Sequence, residues 1–250
     1  MCETVHDASQ DADGTQLIRV RGFPLRVRVT GTGEPLLLLS GLTRPLESWG
    51  SFCERMPGRT IITFDAPGVG TSRTPVLPLT MLQLSALAAS VLDAVGRPAA
   101  DVLGFSFGGA VAQQLAASAP YRVRRLVLVS TSCGVGAIPG ARPTLRSLRR
   151  PEGAVAWPPV SALGTLWQSL AISSWSSIPL LGAITAPTLV VGGARDRLVP
   201  PANSRLLAQR IRGARLELID AGHDLQRPMA AALLARAVAP FLAVGASSAA

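Results

Sequence analysis

Ser106 stands in "LGFSFGGA" (residues 103–110), between Gly104 and Gly108, where an apolar strand-like run passes directly into a helical pattern. Glycines two before and two after a serine leave room for a sharp strand-to-helix turn with a strained backbone at its centre. The start of the helix adds a free N–H and a positive dipole end where negative charge would develop. A serine hydroxyl is a weak nucleophile and needs a base. The chain has only two histidines, His6 and His223. His6 lies in the polar amino-terminal stretch. His223, in "LIDAGHDLQ", follows one strand-like run and precedes the last helical pattern, so its imidazole could reach a neighbouring strand end.

Asp196, in "VVGGARDRLVP", follows another apolar run. It could accept the imidazole N–H and fix the tautomer. It could instead pair with Arg195 or Arg197, or cap the turn ahead of Pro200. Asp220 and Asp224 flank His223, too close in the chain to orient well on its ring. The order Ser…Asp…His, each after a different strand, belongs to one fold. For the oxyanion, "LLLLSGLTRPLESW" ends a strand at Ser40-Gly41, and the backbone N–H of Leu42 would partner that of Phe107. The Phe107 ring and Gly41 are then expected to face the substrate. Together these groups suit acyl transfer through a serine ester.

The elements that must position them are legible as alternating patterns. An opening hairpin covers about 17–30, with "GFP" at its turn, and Arg19, Arg21, Arg26 and Arg28 form its solvated face. Continuous apolar runs at 35–40, 60–64, 100–104, 125–130 and 188–192 suit strands buried on both faces. "RLELI" (215–219) alternates, as a strand near a sheet edge would. Helical patterns occupy 81–95, 109–119, 201–211 and 228–242. Two antiparallel strands followed by strand–helix alternation predict an α/β fold, a mostly parallel sheet covered on both sides.

Residues 133–186 break the alternation and read as a lid insertion rich in Gly, Pro, Ser and Trp. Its Trp157, Trp167 and Trp175 could meet an apolar acyl group or form the lid's own small core. The expected organisation is a flexible arm (1–14), a core (15–132 and 187–244), the lid and a short tail (245–250).

Composition bounds the partners. Hydrophobic residues make up 48% of the 250 and charged residues 16%, which excludes a largely disordered chain. The net charge of +9 comes from arginine alone, since there is no lysine. The arginines are dispersed and aromatics are only 4%, so nucleic-acid binding is not indicated. No apolar run reaches the roughly 18 residues of a membrane span, and the polar start lacks the apolar centre of a secretory leader. Three cysteines without metal-ligand spacing suit a reducing cytoplasm.

The sequence resembles the α/β-hydrolases over nearly its whole length. The resemblance rests on Ser40-Gly41, "FDAPGVGTSRTP" (64–75), "GFSFGG", Asp196 with Pro200 behind it, and "DAGH" (220–223). Asp65, Gly68, Gly70 and Ser72 fall at structural positions of that pattern. More narrowly, "FDAPGVGTSRTP", "STSCGVGAIPGARP", "SSWSSIPLLGAITAPTLVVGG" and "NSRLLAQRIRGARLELIDAGH" resemble the intracellular poly(3-hydroxyalkanoate) depolymerases. The resemblance implies a twisted sheet of about eight strands. It makes Ser106 the nucleophile, Asp196 the acid and His223 the base, on a small-molecule or polyester substrate, with no metal or cofactor. The same residues would also serve a lactonase, thioesterase, carbon–carbon bond hydrolase or haloperoxidase-like enzyme, or a ligand-binding protein with little turnover.

Overall fold

Each continuous apolar run forms a strand of one eight-stranded sheet in the structure, a computed structural model that describes residues 13–141, 158 and 160–243. The strands are β1 (Thr15–Val20), β2 (Phe23–Thr30), β3 (Glu34–Leu39), β4 (Arg59–Phe64), β5 (Ala100–Phe105), β6 (Val123–Val129), β7 (Thr188–Gly193) and β8 (Arg215–Ile219). The helices between them are α1 (Gly50–Cys53), α2 (Met81–Ala94), α3 (Phe107–Ser118), α4 (Ala162–Ser173), α5 (Pro201–Arg210) and α6 (Pro228–Ala243). The spatial order is β1-β2-β4-β3-β5-β6-β7-β8. The β1–β2 and β2–β4 pairs are antiparallel and every later pair is parallel.

The continuous runs are buried because both faces of the sheet are covered. All six residues of β5 are buried. Alternate side chains of one strand enter opposite cores, as the two-residue period of a strand requires. Leu37, Leu39, Val102, Leu126 and Leu128 pack with Leu84, Val91 and Leu115 on the α2–α3 face. Leu36, Leu38, Leu103, Phe105 and Val127 pack with Phe52, Leu234 and Val238 on the α1–α6 face. β8 pairs only with β7, and its first three residues are exposed, as its alternating sequence predicts.

Four local expectations change. The hairpin turns at Arg21 and Gly22, both at positive φ (49° and 82°), so Phe23 and Pro24 already belong to β2. α3 begins at Phe107, two residues early, because the turn at Ser106 opens straight into it. The arginine face of the hairpin is not simply solvated. Leu25 and Val27 point into the core, but Arg26 bonds Glu47 and Asp65, and Arg28 bonds Asp13 and Thr15. The 3-10 turn Leu46–Trp49, which carries Glu47, covers these side chains. Lastly, the connection between β6 and β7 contains a helix, α4, capped by Ser161, whose hydroxyl accepts from Gly164 N–H at 3.1 Å. Among the described residues no helix is long and apolar enough to cross a membrane.

Candidate active site

The turn from β5 into α3 is the most constrained point of the chain. Ser106 sits at φ 52°, ψ −116°, a region that side-chain-bearing residues rarely occupy. The surrounding structure over-determines it. Ser106 N–H donates to Val129 O at 2.9 Å, and its carbonyl accepts from Gly109 N–H at 2.9 Å and from Thr131 Oγ1 at 2.7 Å. Gly104 permits the crossing, since a Cβ there would lie 2.4 Å from Gly108 O. Gly108 lets α3 approach the end of β3, since a Cβ there would lie 2.1 Å from Leu39 O.

His223, in the loop after β8, faces this serine. Its Nε2 lies 3.1 Å from Ser106 Oγ, and its Nδ1 lies 2.8 Å from Asp196 Oδ2. An ionised carboxylate only accepts, so Nδ1 must carry the proton. Nε2 is then left with a lone pair directed at the serine hydroxyl. Asp196 is buried while the His223 side chain keeps 18% exposure, enough for the imidazole to meet an incoming group. The other oxygen of Asp196, Oδ1, accepts from Leu198 N–H (2.9 Å) and Val199 N–H (2.8 Å). The aspartate thus caps its own turn and orients the ring at once. Arg195 bonds Asp220 instead, at 3.1 Å. Asp224 bonds Arg44 and Arg227, so neither neighbour of His223 turns to its ring. Behind the imidazole stand Phe105 (centroids 5.2 Å) and then Trp49, whose indole N–H donates to Ser40 Oγ at 2.9 Å.

The strand ends β3 and β5 meet beside the serine. A Cβ on Gly41 would lie 2.9 Å from the Phe105 ring and 3.5 Å from Ser106 Cβ. Leu42, next in the chain, and Phe107, the first residue of α3, have no acceptor for their N–H among the described residues. The Phe107 ring departs from expectation, being buried in the α2–α3 core at 7% exposure. Trp167 donates its indole N–H to Pro75 O at 3.1 Å, and Trp175 donates to Gln114 Oε1 at 2.8 Å. Both rings are tied to the scaffold. Trp157, His6 and Cys2 lie outside the described residues. A small recess lined by Pro67, Pro75, Leu79, Leu84, Trp167 and Gln168 borders α4, and none of Ser106, Asp196 and His223 lines it. Among the described residues no group of three or more His, Cys, Asp or Glu side chains is placed to hold a metal ion.

Sequence reasoning missed Thr131, Gln168 and the Arg44–Asp224 pair (3.2 Å). Thr131 and Gln168 act on backbone atoms far away in sequence, which leaves no motif. The asparagine at 203 was missed for the same reason: it clasps both backbone groups of Ile138 at 2.8 Å each.

Known proteins share this fold. The alpha/beta hydrolase family matches residues 36–237. The poly(3-hydroxyalkanoate) depolymerase of Ectopseudomonas oleovorans is 36% identical over 219 residues, covering 76% of this chain and 77% of that protein. The solved structure of a hydrolase from Pseudomonas aeruginosa superposes with a TM-score of 0.81 at 25% identity, covering 94% of this chain and all of the other. The enol-lactonase of Burkholderia xenovorans shares the fold, with a TM-score of 0.79 at 24% identity over 91% of this chain and 99% of its own. The chain belongs to the alpha/beta hydrolase family.

Proposed function

We propose that this protein is a serine hydrolase that cleaves carboxylic esters through an acyl-enzyme. One observation carries the reading: a single imidazole bonds Asp196 through Nδ1 at 2.8 Å and faces the Ser106 hydroxyl through Nε2 at 3.1 Å. Ser106 Oγ attacks the ester carbonyl as its proton passes to His223 Nε2. Asp196 stabilises the imidazolium that forms. The N–H groups of Leu42 and Phe107 hold the tetrahedral oxyanion, each such donor contributing about 3 kcal/mol at the transition state. His223 returns the proton to the departing alcohol. Water then attacks the acyl-enzyme, with His223 as base, and releases the acid and free Ser106.

The substrate we favour is a 3-hydroxyalkanoate ester, as oligomer or polymer. Its support is the 36% identity to the poly(3-hydroxyalkanoate) depolymerase. Residues 133–186, including Trp157, Trp167, Trp175 and α4, act as the lid over that substrate, and Gly41 lines its carbonyl end. We place the reaction in the cytoplasm, in keeping with the unpaired thiols of Cys53 and Cys133.

A fluorophosphonate probe tests the chemistry. The native chain is expected to label, and Ser106→Ala to stay unlabelled and inactive on p-nitrophenyl esters. Equal labelling of both would remove Ser106 from the mechanism. A panel of p-nitrophenyl esters beside 3-hydroxyalkanoate oligomers tests the substrate. Turnover of short esters with no release of 3-hydroxy acid would remove the polyester and leave the esterase.

A further inference from the structure

The loop that carries Leu42 leaves the sheet after Leu39, the last residue of β3. Arg44 N–H donates to Gly41 O at 3.0 Å, closing a four-residue turn whose third residue, Thr43, has φ 62°. A turn with positive φ at that position favours glycine, and a β-branched residue there is strained. What holds Thr43 in that conformation comes from the other side of the site. Its N–H donates at 3.1 Å to Oε1 of Gln168, a side chain of α4 that is only 4% exposed. α4 itself is seated on the scaffold by Ser161 N–H to Gly68 O (3.1 Å) and by the Trp167 indole to Pro75 O (3.1 Å).

We propose that Gln168 is a positioning residue for the oxyanion site: it reads whether α4 is seated and, through Thr43 N–H, keeps the Gly41–Arg44 turn in the form that presents Leu42 N–H beside Ser106. The proposal rests on the serine-hydrolase reading above. Without an acceptor at Gln168, the Leu42–Thr43 peptide is free to flip and Thr43 to return to negative φ, which relieves its strain. That flip swings the Leu42 carbonyl to the side vacated by Thr43 N–H, and Leu42 N–H, which belongs to the adjoining Gly41–Leu42 peptide, is displaced as the turn readjusts about the Leu42 Cα. The oxyanion exists only in the transition state, so the cost falls on kcat rather than on substrate binding. The lid helix and the catalytic centre are coupled by one side chain and one backbone N–H.

The test is a double-mutant cycle on p-nitrophenyl ester hydrolysis and fluorophosphonate labelling, with Ser106→Ala as reference. Gln168→Met removes the acceptor at nearly constant volume. It is expected to lower kcat on the order of ten-fold, a fraction of what deleting an oxyanion donor costs, with KM within about two-fold. Labelling should slow in proportion. Gln168→Glu keeps the acceptor but buries a carboxyl near the developing oxyanion, so its rate relative to native should recover to within about three-fold as pH falls and that carboxyl takes a proton. Thr43→Gly removes the strain at positive φ, so adding Gln168→Met to it should cost less than about three-fold. A role for Gln168 in packing alone would survive that glycine, and an undiminished ten-fold loss in the Thr43→Gly background would overturn the proposal. So would an unchanged kcat for Gln168→Met, or a loss confined to KM. Should Gln168→Met unfold, seen by circular dichroism, the Gln168→Glu rate decides alone: a ten-fold fall relative to native that persists at acid pH, with native Tm, overturns the proposal. If instead Ser106→Ala retains activity, the serine-hydrolase reading fails, a result none of the Gln168 outcomes can mimic.

Discussion

At the scale of residues, Asp196 does two things with its two oxygens, and that makes its substitution informative. Oδ1 accepts two backbone N–H groups, and Oδ2 accepts the imidazole proton. In Asp196→Asn the backbone donors require an oxygen, so the amide NH2 is the group forced towards His223. It can only donate to Nδ1, which drives the ring proton to Nε2. The base then faces Ser106 with the wrong tautomer, and kcat is expected to fall about 10³–10⁴-fold with Tm nearly unchanged. Ester hydrolysis and thermal unfolding measure both, and a variant within ten-fold of native activity would remove Asp196 from the mechanism. Thr131 makes a gentler case. Its hydroxyl holds the carbonyl of strained Ser106 at 2.7 Å, so Thr131→Val should lower both Tm and kcat while Thr131→Ser restores them. An equal defect in the serine variant would assign the effect to packing. The three polar residues of the proposed triad were legible in the sequence because histidine is so scarce here and each residue follows its own apolar run. Thr131 and Gln168 were not legible, because a side chain that bonds a distant backbone atom carries no spacing to read.

At the scale of elements, the strands were legible because a sheet covered on both faces needs continuous apolar runs. α4 escaped for the opposite reason. Its buried positions are Gly164, Gln168 and Ala171, whereas Leu163, Leu166 and Leu170 are exposed, so hydrophobic periodicity points away from the face that packs. The signal available was the cap, Ser161 ahead of a run free of internal proline. Close approach rather than apolar content decides the junction of α3 with β3 as well. A Cβ on Gly108 would lie 2.1 Å from Leu39 O and 2.6 Å from Ser40 O, which are backbone atoms that cannot swing aside. Gly108→Ala must therefore push α3 off the strand end that bears Gly41 and Leu42. We expect a loss of about 1–3 kcal/mol or more in stability, read as a fall in Tm, with hydrolysis lost while Ser106 is still present. A variant with native Tm and native activity would show that the helix start has slack the structure does not display.

At the scale of the whole molecule, arginine supplies all the positive charge, and its partners are more buried than the alternating hairpin implies. Arg26, 18% exposed at its side chain, joins Glu47 to Asp65, which has no exposure at all. Two opposing effects act on that carboxyl. Leu46 N–H (2.8 Å) and Arg26 (3.2 Å) favour the ion, and burial opposes it. Burial is the larger, pushing Asp65 up to about 6 from an ordinary 3.8, with Glu47 adding in the same direction. The folded chain therefore binds this proton more tightly than the unfolded chain does. Its contribution to stability is full below about pH 4 and is lost as pH rises through about 6. The shift corresponds to on the order of 3 kcal/mol across that window. Asp65→Asn keeps an acceptor for Leu46 N–H and cannot titrate, so it isolates this contribution. Thermal unfolding of both proteins from pH 4 to pH 8 should show the variant gaining on the native chain as pH rises, with most of the gain between pH 4 and pH 7. A difference moving the other way would mean that Arg26 outweighs burial and that Asp65 folds as a settled anion.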